Sequence, residues 1–354
     1  MMQKWILSDR DSSIFTVMKT IAMLMVLVIH ADLRSHGAEQ SSVTDFYNEL
    51  FSNIFATAAV PIFFFISGFF MFRNFDFKKK FKSRVRTIYI PYFLWCTWGL
   101  CILFVLQGLL GLESLFSGKD LKLLRDFTTL DYLRIYWDIR NGDPITSTLW
   151  FLKDLGILIA LSPLINAIIK RSGWGGVFLA LALFLGIAGI SNHLIGFFSI
   201  FYFSFGGWIS YKGMNLFEWL NRHKTKIITM AIIVLLSLSF AYICNFKYYD
   251  QMKTIWIILC IPLLYYLCSI EKVYESSILL RLSEYSFFIY LFHEPIMGYI
   301  QKIWFKFVDF PLYSQIVLFW LFPILILLVS VFVYKLLIRC CPSILNILIG
   351  GRIK

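Results

Sequence analysis

The sequence predicts an all-α fold: a polytopic transmembrane helical bundle of about ten spans, with both chain ends on the cytoplasmic side (N-in/C-in). Three observations carry that prediction. Hydrophobic residues make up 59% of the 354 residues and charged residues 15%, against about 45–50% and about 25% in ordinary globular chains. A water-soluble fold cannot hide that much apolar surface, and disorder needs the opposite composition. Second, the apolar residues fall in unbroken runs near the length a spanning helix requires, about 20 residues. A membrane barrel would show short alternating segments instead. Third, Lys and Arg are distributed across the runs as the positive-inside rule requires.

In chain order the runs lie at about 14–33, 49–72, 88–110, 148–169, 176–190, 194–211, 227–244, 254–270, 287–304 and 314–338. The first follows Lys4 and Arg10, as a signal peptide would, but has no small-x-small cleavage site and reads as a retained helix. The fifth and sixth are separated by Ser191, Asn192 and His193, so they read either as two spans or as one re-entrant pair. The stretch 111–147 is the longest between runs. The spacing of Leu121, Leu124, Phe127, Leu130, Tyr132, Leu133 and Trp137 predicts an amphipathic helix on the outer surface, or a cover over a site. With the N-terminus inside, 22 of the 33 Lys and Arg fall on the inner side, but only 7 of the 21 Asp and Glu. Seven of those cations lie in the basic loop 73–88. The net charge of +12 is therefore a topology signal, and no nucleic-acid partner is expected. Five of the seven cysteines sit inside apolar runs and read as small apolar residues. With no internal repeat and no separate soluble segment, residues 1–354 read as a single integral-membrane domain.

Ionisable groups inside spans are costly and mark function by default. Lys19 and His30 share the first helix. Eleven residues amount to three turns plus about 20°, so both lie on one face, roughly 16 Å apart along the axis. Met23 and Val26 share that stripe. Lys19 alone reads equally well as a side chain reaching the inner headgroups. Arg84 and Arg86, at the start of the third run, are placed to grip phosphate through charge-assisted bonds, whereas Lys78–Lys80 read as topology signal. Asp154 lies one turn below Trp150 of an outer aromatic belt, with Lys153 or a helix N-terminus as its neutralising alternative. His293 shares a face with Tyr290 and Ser286, and Pro295 loosens the helix beside it. His36, His193 and His223 fall in loops and read as solvated. The chain contains no H-E-x-x-H, G-x-S-x-G, Walker A or dinucleotide motif, so neither a metal nor a permanently bound cofactor is expected.

Taken in order, several stretches resemble the acyltransferase 3 family of multispanning bacterial acyltransferases. They are F-T-V-M-K-T-I-A-M-L-M-V-L-V-I-H (15–30), P-I-F-F-F-I-S-G-F-F (61–70), R-V-R-T-I-Y-I-P-Y (84–92), L-W-F-L-K-D-L (149–155) and S-E-Y-S-F-F-I-Y-L-F-H-E-P-I (283–296). The family's first-helix motif is Arg, ten residues, His; Lys19 stands here in place of the Arg. The resemblance implies an enzyme of the cytoplasmic (inner) membrane that moves an acyl group, acetyl above all, from acyl-CoA as co-substrate. The acceptor it implies is a hydroxyl of a cell-surface glycan or lipid-linked oligosaccharide. It implies Lys19, Arg84 and Arg86 on the CoA phosphates and His30 as the base, since an imidazole with an ordinary pKa of about 6.5 takes a proton near neutral pH. An acyl-imidazole on His30 is the other route. Asp154 or Glu294 would orient an imidazole, His293 would assist, and Tyr290 or Ser67 would donate to the oxyanion. A homodimer is as compatible with the resemblance as a monomer. The residues also fit a transporter or lipid flippase, which would gather Lys19, Asp154, His293 and Glu294 around a cavity with Pro61 and Pro295 as helix breaks. That reading lacks two related halves in the sequence. A passive scaffold gives no reason for a lysine and a histidine on one face of a buried helix.

Overall fold

The computed structural model describes residues 6–31, 42–112, 123–138, 142–171, 173–189, 194–307 and 312–353. Regular structure among them is entirely helical. Helix α1 (Asp9–Ile29) opens with a reciprocal cap. The Asp11 N–H donates to Ser8 Oγ at 3.2 Å, and the Ser8 N–H donates to the Asp11 carboxylate at 2.9 Å. Its buried residues, Ile14, Phe15, Val17, Met18, Ala22, Met23, Val26 and Leu27, wrap most of its circumference. A helix apolar nearly all round is enclosed by others, and α1 is the central one.

Helix α2 (Ser42–Asn48) continues through a π-helical stretch (Glu49–Phe55) and a 3-10 turn (Ala56–Ala58) into α3 (Ala59–Phe72). The second run is thus longer than predicted. The basic loop 73–88 is largely not a loop. Helix α4 (Phe77–Arg84), capped by the Asp76 carboxylate on the Lys79 N–H at 3.1 Å, runs through a π turn (Val85–Tyr89) into α5 (Ile90–Phe104). The cationic stretch contains no Gly or Pro, and Pro91 falls in the first turn of α5, where its missing N–H is tolerated. Lys80 also does more than report topology. Its ammonium donates to the carbonyls of Phe70 (2.6 Å), Met71 (2.8 Å) and Arg73 (2.5 Å), closing the C-terminal end of α3.

Among the described residues of 111–147, short pieces stand where one amphipathic helix was expected. Leu121 lies outside the described residues. Beyond it come a 3-10 turn (Leu124–Asp126) and α6 (Thr129–Arg134), which leaves Leu130, Tyr132 and Leu133 exposed. Thr128 and Asp131 form a capping box that starts a new helix there, so no single helix runs through. The Tyr92 hydroxyl, donating to the Tyr136 carbonyl, ties the segment to α5.

The fourth run is broken. Helices α7 (Trp150–Ala160) and α8 (Ser162–Lys170) meet at 60°, because Pro163 cannot continue the hydrogen-bond ladder across the junction. After them come α9 (Trp174–Ile187), α10 (Phe197–Lys212), α11 (Leu216–Ile243), α12 (Tyr249–Cys268), α13 (Glu271–Tyr274), α14 (Ser277–Phe307), α15 (Leu312–Cys340) and α16 (Pro342–Leu348). Every predicted run holds a helix. By length and composition, six segments of the described residues are fit to cross a membrane, or seven if α7 and α8 form one span. The difference from ten arises at α9 and α10, with 14 and 16 residues, at the break between α7 and α8, and at α14, which is interrupted at Glu294. The chain is a multi-pass membrane protein. Around α1 pack α14, α3 and α12; α3 lies most closely on α10, and α14, packed mainly on α1, also meets α15.

Candidate active site

The site forms where α1 ends against the break in α14. Pro295 lacks the N–H that the Leu291 carbonyl would accept, and Glu294 leaves helical geometry at φ −114°, ψ 139°. His293, one residue earlier, is 0% exposed. Its ring turns back along the helix, with Nδ1 2.7 Å from the Tyr290 carbonyl and 3.3 Å from that of Ile289. A carbonyl only accepts, so Nδ1 carries the proton and Nε2 presents a lone pair. That Nε2 is buried with no partner among the described residues.

His30 sits at the other side of this junction, at φ −84°, ψ 0°, just past the last turn of α1. Its ring centre lies 5.1 Å from that of His293. Its Nδ1 is 3.9 Å from a Glu294 carboxylate oxygen, with the two side chains 31% and 15% exposed. The backbone around it is pinned from two directions. Gln301 Nε2 donates to the His30 carbonyl at 3.4 Å, and Ser52 Oγ donates to the Val28 carbonyl at 3.0 Å. Two imidazoles and a carboxylate thus meet in one place, one ring fully buried and the other part-exposed. Such a group can accept a proton, hold the resulting imidazolium beside an anion, and release the proton again.

Of the two carboxylates weighed from sequence, Glu294 is the one beside an imidazole. Asp154 is 2% exposed and engaged elsewhere. Its Oδ2 accepts from the Gly196 N–H at 3.0 Å and from Ser199 Oγ at 2.8 Å, and its Oδ1 stands 3.2 Å from Lys153 Nζ. Lys153 in turn donates to the Gly142 carbonyl at 2.5 Å. Asp154 therefore clasps α7 to the start of α10 and to the segment before α7, and its partners among the described residues include no histidine. Removing one member of a buried pair costs about 3–5 kcal/mol. Asp154→Ala is expected to lower thermal stability by that order while leaving turnover per folded molecule near wild type. A selective loss of turnover at unchanged melting temperature would assign Asp154 to the chemistry instead.

The Tyr290 hydroxyl, one of the expected oxyanion donors, donates to the Thr148 carbonyl at 2.8 Å and so ties α14 to the segment before α7. Ser67 is half-buried on α3. Lys19 is half-buried on α1, and Met23 and Val26 of its stripe are buried, so this face of the helix turns inward. Arg84 closes α4 half-buried and Arg86 lies exposed on the π turn; neither forms an ion pair or hydrogen bond among the described residues. Ser52 and Gln301 were not singled out from sequence, since a polar residue pinning a backbone carbonyl leaves no spacing signal. His193 lies outside the described residues, as does His36. His223 is half-buried on α11 with Nδ1 2.8 Å from the Trp219 carbonyl.

A family model described as an acyltransferase domain, that of acyltransferase 3, matches residues 13–335. Among curated proteins, the succinoglycan biosynthesis protein ExoH of Rhizobium meliloti (strain 1021) is 25% identical over 314 residues, which is 83% of this chain and 79% of that protein. No solved structure matches the chain.

Proposed function

The chain belongs to the acyltransferase 3 family and is an acyltransferase, and on that premise we propose that it moves an acetyl group from acetyl-CoA to a hydroxyl of a cell-surface glycan, at the cytoplasmic membrane. Family membership decides between the enzyme and the carrier readings of the sequence. The relative named for succinoglycan biosynthesis supports a polysaccharide or its lipid-linked precursor as acceptor. The observation that carries the chemistry is the His30 ring, 5.1 Å from His293 with Glu294 at its Nδ1.

In this reading His30 takes the proton of the acceptor hydroxyl through Nε2 while Glu294 steadies the imidazolium through Nδ1. The hydroxyl oxygen attacks the thioester carbonyl, the C–O bond forms, the C–S bond breaks, and the proton leaves with the thiol. His293, held in one tautomer by the Tyr290 carbonyl, presents its Nε2 as a second acceptor in the same junction. Lys19, Arg84 and Arg86 hold the donor's phosphates.

Two measurements test the proposal. Purified protein in proteoliposomes given radiolabelled acetyl-CoA and glycan should release free thiol and label the glycan. Mass spectrometry of surface glycans from cells with and without the gene should show an acyl modification that disappears with the gene and whose mass identifies the group. Unchanged glycans, together with no thiol release, would sink this reading.

A further inference from the structure

The arginines assigned to the donor have a third companion that sequence spacing did not reveal. Helix α16 is anchored beneath α5, with Leu345 and Ile349 buried and the Trp95 indole N–H donating to the Leu348 carbonyl at 3.1 Å. The chain then turns through Gly350 (φ +70°) and Gly351 (φ +78°), a left-handed pair that side chains disfavour. The turn also has no room for side chains. A Cβ on Gly350 would stand 2.7 Å from Thr87 Cα and 2.8 Å from the Arg86 carbonyl oxygen, and one on Gly351 would stand 2.7 Å from Arg86 Nε. This fit delivers Arg352 to the π turn that carries Arg86, next to Arg84. There Arg352 donates to the Ile349 carbonyl at 2.5 Å and lies over the Phe287 ring at 3.7 Å.

Three guanidinium groups are gathered here from two distant stretches of chain. Among the described residues no carboxylate pairs with any of them. Burial and the charge of Arg84 push the Arg352 guanidinium down to about 10 from its ordinary 12.5, the direction expected of cations crowded without a counter-charge. An anion placed among them would relieve that crowding and take several charge-assisted bonds. The position along α14 adds to the case. Phe287, under Arg352, precedes His293 by six residues, a helical rise of about 9 Å. A ligand with a multiply charged phosphate head and a reactive end on a flexible arm of at least that length would reach both.

We infer that Arg352, with Arg84 and Arg86, forms a three-arginine site for the phosphate groups of the acyl donor, and that the Gly350–Gly351 turn exists to place it. The inference rests on the proposed acyl-CoA donor and adds a residue beyond the segment matched by the family model. An anionic lipid headgroup offers the same phosphate chemistry, so the test separates the two sources.

Full-length protein is placed in nanodiscs of zwitterionic lipid, and coenzyme A binding is measured by calorimetry at low and high salt for wild type, Arg352→Gln and Arg352→Lys. Arg352→Gln should raise Kd on the order of tenfold and flatten its salt dependence, with Arg352→Lys in between. A phosphate-free donor, S-acetyl-N-acetylcysteamine, should be turned over equally by all three, which a merely structural role would not produce. If wild type binds coenzyme A and Arg352→Gln binds it equally well, the inference fails while the proposed donor stands. If wild type binds inorganic pyrophosphate in an Arg352-dependent way but not coenzyme A, the anion site stands and the proposed donor falls. If Arg352→Gln changes only the retention of anionic phospholipid, seen by native mass spectrometry, the site belongs to the bilayer and the inference is overturned.

Discussion

His30→Ala is expected to abolish acyl transfer, lowering turnover by about 10²- to 10⁴-fold, the usual contribution of a positioned acid–base group. It should do so in a protein that folds and inserts normally. The His30 side chain is 31% exposed, so its removal opens no closed cavity. The backbone contacts that hold the end of α1, Gln301 Nε2 to the His30 carbonyl and Ser52 Oγ to the Val28 carbonyl, do not involve the ring. The variant should therefore match wild type in size-exclusion profile and melting temperature while releasing no thiol from acetyl-CoA above background. His293→Ala makes the instructive contrast. That ring is fully enclosed, so its loss should lower stability as well as rate. Near-normal acylation by folded His30→Ala would remove the catalytic assignment and leave the two-histidine junction a structural feature.

The helices were legible because apolar run length is a strong signal: every run predicted from sequence holds a helix. Of their breaks, only the one at Pro295 was legible in the sequence; 148–169 reads there as a single run despite Pro163. Pro163 explains the bend between α7 and α8, and Pro295 the interruption beside His293. The π-helical insertions in 49–55, 85–89 and 105–109 carry no such residue. They answer to packing between helices that a linear pattern does not encode. The same division runs through the site. The spacing of Lys19 and His30 and the His293-Glu294-Pro295 triplet were readable locally, and Glu294 was one of two carboxylates weighed for an imidazole. That Glu294 stands beside His30 and Asp154 beside Ser199 depends on α1 meeting α14 and α7 meeting α10, which are tertiary facts. Arg352 was counted from sequence as one more inner charge. Its place next to Arg84 and Arg86 depends on α16 tucking beneath α5 some 260 residues away in the chain. The amphipathic pattern in 111–147 misled, because Thr128 and Asp131 start a new helix inside the stretch that the spacing reads as one.

Gly206→Ala is the substitution expected to damage the fold most for the smallest chemical change. Helices in lipid gain little from the hydrophobic effect on pairing and rely on close packing, which small residues permit. Helices α3 and α10 take this to its limit. A methyl group on Gly206 would overlap the Phe65 carbonyl, and one on Gly68 would overlap the Phe203 carbonyl. Both obstacles are backbone, so no rotamer change relieves them and the helices must separate. Overpacking of this kind costs about 1–3 kcal/mol, and more where nothing can yield. We expect the upper end, about 3 kcal/mol or more, seen as a melting temperature lowered by several degrees and a loss of monodisperse protein on extraction. Gly176→Ala in α9 is the control, because nothing stands within 4 Å of a Cβ there. It should be neutral, or stabilising by about 0.5–1 kcal/mol through helix propensity. The consequence reaches the site. Helix α3 packs against α1, whose end carries His30, so spreading this pair loosens the support of the histidine junction. Activity per folded molecule should therefore fall with stability in Gly206→Ala and stay level in Gly176→Ala. Equal melting temperatures for the two variants would mean that α3 and α10 do not approach this closely in the membrane.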